Sequence, residues 1–139
     1  MKDIGLKSLF WTGLALRLAL VVCVEPVYAA VYYAPFMETG SLTLSPWNAW
    51  LQTSGSIEAF PYGYAMWMVF LPLTLVFTVF DLPVIYGYLA TLLVVDLCLL
   101  KALRVNMLDW SRLLLAAYWC SPVVILATYG MGLNDIIPA

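Results

Sequence analysis

The chain has no histidine and little charge: of 139 residues, six are Lys or Arg and eight are Asp or Glu. Without imidazole, the usual general base, the commonest metal ligand and every Ser-His or Cys-His nucleophile pair are excluded. Chemistry has to run on carboxylates, Lys, Arg or Tyr. With so few cations and a formal net charge of −2, the basic footprint of a nucleic-acid-binding protein is missing, and no nucleic-acid partner is expected. Cys23, Cys98 and Cys120 sit in apolar runs without metal-type spacing and read as small buried hydrophobes. Internal repeats, coiled-coil heptads and low-complexity tracts are lacking, and no metal site is evident.

What is abundant is apolar surface. Hydrophobic residues make up 65% of the chain and aromatics 15%, with a mean hydropathy of +0.96. Soluble domains carry about 25% charged and about 45–50% apolar residues, so a water-soluble domain is excluded, as is a disordered chain. The lipid bilayer is the expected surroundings. Crossing ~30 Å of hydrocarbon at 1.5 Å per residue takes about 20 residues. The predicted fold class is an all-α integral membrane protein, one membrane domain over residues 1–139 with about four transmembrane helices.

The apolar runs place the spans at about residues 9–30, 62–80, 84–100 and 113–129. Glu25-Pro26 interrupts the first. A signal peptide with Lys2 and Lys7 as its basic region competes there, opposed by Arg17 inside the apolar core. Residues 34–61 turn to Pro, Gly, Ser, Thr and Asn mixed with aromatics and are expected as a long outer loop. Within it, Trp47 and Trp50 share one face of a short interfacial helix. Asp81-Leu82-Pro83 joins the second and third spans as a tight hairpin, and Ser121-Pro122 bends or breaks the fourth.

Lys2 and Lys7 put the N-terminus inside, in a cytoplasmic (inner) membrane, by the positive-inside rule. Four simple crossings would leave Lys101, Arg104 and Arg112 outside. Either the rule is overridden or one apolar segment does not cross fully, and 62–80, with Pro72 in its middle, is the first choice for it.

Charges at membrane depth are costly and mark either pairs or functional sites, which singles out Arg17, Glu25 and Asp96. An interhelical ion pair, for example Asp96 with Arg17, is one reading, and substrate contact is the other. Glu38 and Glu58 in the outer loop can meet a substrate at the membrane surface or stay as solvated loop charges. Near the end, the apolar helix after Ser121-Pro122 runs into Gly130-Met131-Gly132-Leu133-Asn134-Asp135. Such a helix end presents a polar pair at the membrane boundary.

This order of motifs resembles the polytopic glycosyltransferases of the GT-C superfamily, mannosyltransferases and bacterial relatives that use polyprenyl-phosphate sugars. The matching features are Arg17-Leu18 in the first helix, the aromatic outer loop, Phe60-Pro61-Tyr62-Gly63-Tyr64, Asp96 late in the third span, and a Ser-Pro span leading into Gly132-x-x-Asp135. The resemblance implies inverting transfer of a sugar from a polyprenyl phosphate to an acceptor hydroxyl. It implies Glu38 as catalytic base, with Glu58 the second choice, and Arg17, Tyr62, Asn134 and Asp135 as substrate-binding residues, with Arg17 facing the lipid phosphate. Asp96 and Glu25 would be structural intramembrane polar residues, and Trp47 and Trp50 interfacial anchors.

The chain departs from the family in one respect. Those enzymes usually carry an Asp in the first outer loop as base or metal ligand, whereas no Asp occurs between Ile4 and Phe80. A divalent metal cofactor is thus left without an evident site. The resemblance covers only the N-terminal portion of such an enzyme. A fragment or split piece, inactive alone, is expected, with the missing C-terminal helices as a separate partner chain. The alternative is a small non-catalytic four-helix membrane protein acting as an accessory or assembly subunit.

Overall fold

The computed structural model describes residues 2–106, 111–134 and 137, and all regular structure among them is helical. Helix α1 (Lys2–Cys23) is rich in Leu and Ala, which favour the helix, and it runs without interruption. It stops before Pro26, which has no N–H to donate and whose ring collides with the preceding helical turn. The expected first span is corrected accordingly. Its helix ends at Cys23, and Glu25 lies exposed in the break rather than inside a span. Helical structure resumes at Val27 and passes through a widened, π-type turn at Ala29–Tyr33 into α2 (Ala34–Gly40).

Residues 34–61 are not the loop expected of them. They form α2, α3 (Pro46–Gln52) and a short 3-10 turn at Ile57–Ala59. Aromatic packing holds this unit together: Phe36 and Phe60 stack in parallel with centroids 4.7 Å apart. Phe60 meets Phe70 edge-on at 6.3 Å, and Phe70 stacks on Tyr88 at 4.5 Å.

The helices α4 (Gly63–Val79) and α5 (Val84–Asn106) form a hairpin. The chain turns between them at Asp81, whose φ of 54° is left-handed. Close packing of the pair needs Gly87, where a Cβ would come within 3.1 Å of Leu73 O and Thr74 Cα. The last apolar stretch is broken as Ser121-Pro122 predicts: α6 (Arg112–Trp119) and α7 (Pro122–Gly130) meet at a 43° bend. Ser121 caps α7 by accepting the Val124 N–H at 3.5 Å.

Two helices, α1 and α5, are long and apolar enough to cross a membrane, and α6–α7 makes a third if the bent pair is one span. Helix α4 is apolar but has only 17 residues.

Side-chain contacts set the directions. Arg17 meets Asp96, and Lys7 shares a groove with Lys101 and Arg104, so α1 and α5 are antiparallel. Trp119 Nε1 donates to Phe10 O at 2.8 Å, and Tyr28 N–H donates to Met131 O at 3.1 Å, so α6–α7 runs alongside α1 in the same direction. One end of the bundle therefore gathers Lys7, Lys101 and Arg104, with Arg112 opening α6 nearby. The other end holds the break after α1, the α4–α5 turn and the segment through Asn134. Gly132 seals that second end with φ of 80°, packed so closely on Ala29 and Pro26 that a Cβ would fall within 3.0 Å of both.

Candidate functional site

Two groupings of polar side chains stand out, one inside the bundle and one at its acidic end. Arg17 lies about 15 Å along α1 from Lys7 at 1.5 Å per residue, roughly half the depth of a ~30 Å hydrocarbon layer. Both Arg17 and Asp96 are fully buried, at 0% exposure. The guanidinium Nε donates to Asp96 Oδ2 at 2.6 Å. Its Nη1 donates to Gly13 O at 3.0 Å and to Trp119 O at 2.5 Å. The Tyr118 hydroxyl donates to Asp96 Oδ1 at 2.5 Å and that of Tyr129 to Asp96 Oδ2 at 2.9 Å. The cation also lies over the Trp119 ring, 3.8 Å from its centroid, a geometry that attracts it to the ring's negative face.

The backbone break explains part of this cluster. A helix leaves its last carbonyls unpaired, and Ser121-Pro122 ends α6 at membrane depth, where no water can pair them. Arg17 supplies the donor for Trp119 O and places positive charge at a helix C-terminus, where the dipole favours it. The interhelical pair considered for Arg17 and Asp96 is formed, and three further side chains enclose it. Arg17, expected to face a lipid phosphate, is here turned onto Asp96 and Trp119 O, and among the described residues its buried Nη2 has no hydrogen-bond partner. Tyr118, Trp119 and Tyr129 were not singled out from the sequence, because an aromatic in an apolar run carries no mark of which face it occupies. Their one local signal is position, on either side of the Ser-Pro break.

Gly13 lets α1 approach this cluster. A Cβ there would overlap the Trp119 indole and lie 2.8 Å from Trp119 O. Gly13→Ala is expected to destabilise the folded chain by about 1–3 kcal/mol, the usual range for overpacking. Unfolding of the purified protein by SDS titration in mixed micelles measures this, and an unchanged midpoint would contradict the packing described.

The second grouping is a cleft of about 430 Å³ lined by Glu25, Glu38 and Asp81. Glu25 comes from the break after α1, Glu38 from α2 and Asp81 from the α4–α5 turn, and all three are exposed. Ala34, Pro35 and Val84 supply apolar wall, and among the described residues no Lys or Arg lines the cleft. Carboxylates so placed accept hydrogen bonds from hydroxyl groups and can take up a proton, while their shared sign repels phosphates. Among the described residues no group of three or more His, Cys, Asp or Glu could hold a metal ion.

The other expected site residues lie elsewhere. Asn134 is buried at 1% exposure, and among the described residues its Nδ2 and Oδ1 have no partner; Asp135 lies outside the described residues. The half-buried Tyr62 has its hydroxyl 3.4 Å from that of Tyr33, within the aromatic packing rather than the cleft. Trp47 and Trp50 share α3, and both face Phe36. Their indole N–H groups donate to Phe60 O at 3.0 Å and Ser56 O at 2.8 Å, fastening the 34–61 unit. Glu58 is exposed and does not line the cleft. No protein-family model, curated protein or solved structure matches this chain.

Proposed function

We propose that the chain is an inner-membrane protein of three crossings, with its basic end in the cytoplasm and its acidic cleft on the outer side. Supporting this topology, Lys7, Lys101 and Arg104 line one groove, which meets the positive-inside rule without exception. Helix α4 then belongs to an outer unit that enters the membrane without crossing it. In a cysteine-free background (Cys23→Ser, Cys98→Ser, Cys120→Ser), Leu82→Cys should react with an impermeant maleimide in intact cells. Lys101→Cys should react only after permeabilisation. Four simple crossings require the reverse pattern.

We further propose that the acidic end carries the acceptor side of a GT-C-like glycosyltransferase. The carrying observation is that Glu38, on a helix packed into the aromatic core, opens onto a cleft shared with Glu25 and Asp81. In this reading Glu38 removes the proton of an acceptor hydroxyl as that oxygen bonds to the sugar carbon, and the polyprenyl phosphate leaves with the electrons of the broken bond. Glu25 and Asp81 orient the acceptor's other hydroxyls. The test is transfer of radiolabelled sugar from a polyprenyl-phosphate donor into product, in membranes of the source cell with the wild-type chain, with Glu38→Gln and without the chain. Transfer that depends on the chain and falls in the variant supports the reading. Transfer independent of the chain overturns it.

A second reading has its own support. The cleft has no cation to hold a leaving phosphate, which fits a non-catalytic accessory or assembly subunit. Under it, deletion of the chain lowers transfer while Glu38→Gln does not.

A further inference from the structure

The end of the bundle opposite the acidic cleft carries a groove of about 410 Å³ between α1, α5 and α6. Leu6, Phe10, Trp11 and Leu100 supply apolar walls, and Lys7, Lys101 and Arg104 are the charged lining residues among those described. All three cations are exposed, and no salt bridge involving them occurs among the described residues. They come from two different helices, so their convergence is a product of the antiparallel packing of α1 and α5.

Apolar walls and a cationic rim suit a molecule with a hydrocarbon tail and an anionic head. A volume of about 410 Å³ lies within the ~300–1,000 Å³ of small-molecule sites. Among the described residues no carboxylate lines the groove, whereas the charged residues lining the cleft at the other end are all carboxylates. The geometry points to a binding site for one anionic phospholipid, its phosphate between Lys7, Lys101 and Arg104 and one acyl chain against Phe10, Trp11 and Leu100. Arg104 offers a planar fork that can pair two phosphate oxygens, and the two ammonium groups act as point charges. The inference does not depend on any catalytic role of the acidic cleft.

The experiment uses the full chain in nanodiscs of phosphatidylcholine containing a small fraction of either phosphatidylglycerol or extra phosphatidylcholine with brominated acyl chains. Quenching of tryptophan fluorescence reads occupancy beside Trp11, and Trp11→Phe identifies its share. Brominated phosphatidylglycerol should quench Trp11 at lower mole fraction than brominated phosphatidylcholine. Each cation removed, as in Lys101→Gln or Arg104→Gln, should weaken that preference about fivefold, from an attraction of ~1 kcal/mol per basic residue near a membrane surface. Lys101→Arg should retain it, and Arg112→Gln, at the same end but outside the groove, should change it little. Equal quenching by the two lipids, or equal loss with Arg112→Gln and Lys101→Gln, would overturn the assignment in favour of diffuse surface charge. Abolition of the preference by millimolar inorganic phosphate would also overturn it, because phosphate alone would then be the ligand.

Discussion

Replacing Asp96 with Ala is expected to destabilise the folded chain by about 3–5 kcal/mol, the loss typical when one partner of a buried ion pair is removed. The magnitude comes from what remains. Arg17 would stay at 0% exposure with no counter-charge, and the hydroxyls of Tyr118 and Tyr129 would lose their acceptor. Individual interhelical hydrogen bonds in membrane proteins average only ~0.6 kcal/mol, so the two hydroxyls are the minor part. The uncompensated charge dominates. Asp96→Asn, which keeps acceptor and shape but drops the charge, should fall between wild type and Asp96→Ala. The double variant Arg17→Met with Asp96→Leu should recover most of the loss, since apolar replacement of an entire buried pair is often neutral or better. SDS-titrated unfolding in mixed micelles gives these differences. If Asp96→Ala unfolds within ~0.5 kcal/mol of wild type, the cluster is not the internal tie described.

Under the proposed glycosyltransferase reading, Glu38→Gln is expected to lower sugar transfer about 10²–10⁴-fold, the usual contribution of a positioned general base. Gln has the size of Glu and still accepts a hydrogen bond, but it cannot take the acceptor's proton. The fall should therefore appear in kcat, with KM little changed. Glu25→Gln and Asp81→Asn, which remove orienting contacts, should instead raise KM. Glu58→Gln serves as the control because Glu58 is exposed and outside the cleft. A loss of similar size from Glu58→Gln would mean that surface charge, and not Glu38, matters.

The two groupings place opposite demands on the fold. The Arg17–Asp96 cluster is closed, its two charges buried and paired with each other, and it ties α1 to α5 and α6–α7. The acidic cleft is open and its carboxylates are exposed, as the proposed chemistry on an acceptor hydroxyl would require. The depth of Arg17 offered two readings, an ion pair with Asp96 or contact with substrate, and the resemblance to GT-C enzymes implied the second. Depth alone cannot distinguish the two roles, because a charge in hydrocarbon must be paired whether or not it is also used.

Much of the backbone plan was legible along the chain. Pro26, the Asp81-Leu82-Pro83 turn and Ser121-Pro122 each mark a helix end or break, because a missing N–H and a fixed φ act on the nearest turn and need no distant partner. The membrane environment and the four apolar segments follow from composition in the same local way. The 34–61 unit was misread as a loop because its short helices are held by Phe36, Phe60 and two Trp rings, contacts that helix propensity does not register. Proximity across the bundle is of another kind. Arg17 and Asp96 are separated by 79 positions, Glu25 and Asp81 line one cleft, and Lys7 and Lys101 line one groove only because α1 and α5 pack antiparallel. Such meetings depend on how rigid helices stack and on which small residues, Gly13 and Gly87 among them, allow close approach. That information is absent from any window of neighbouring residues and arises only when the segments pack.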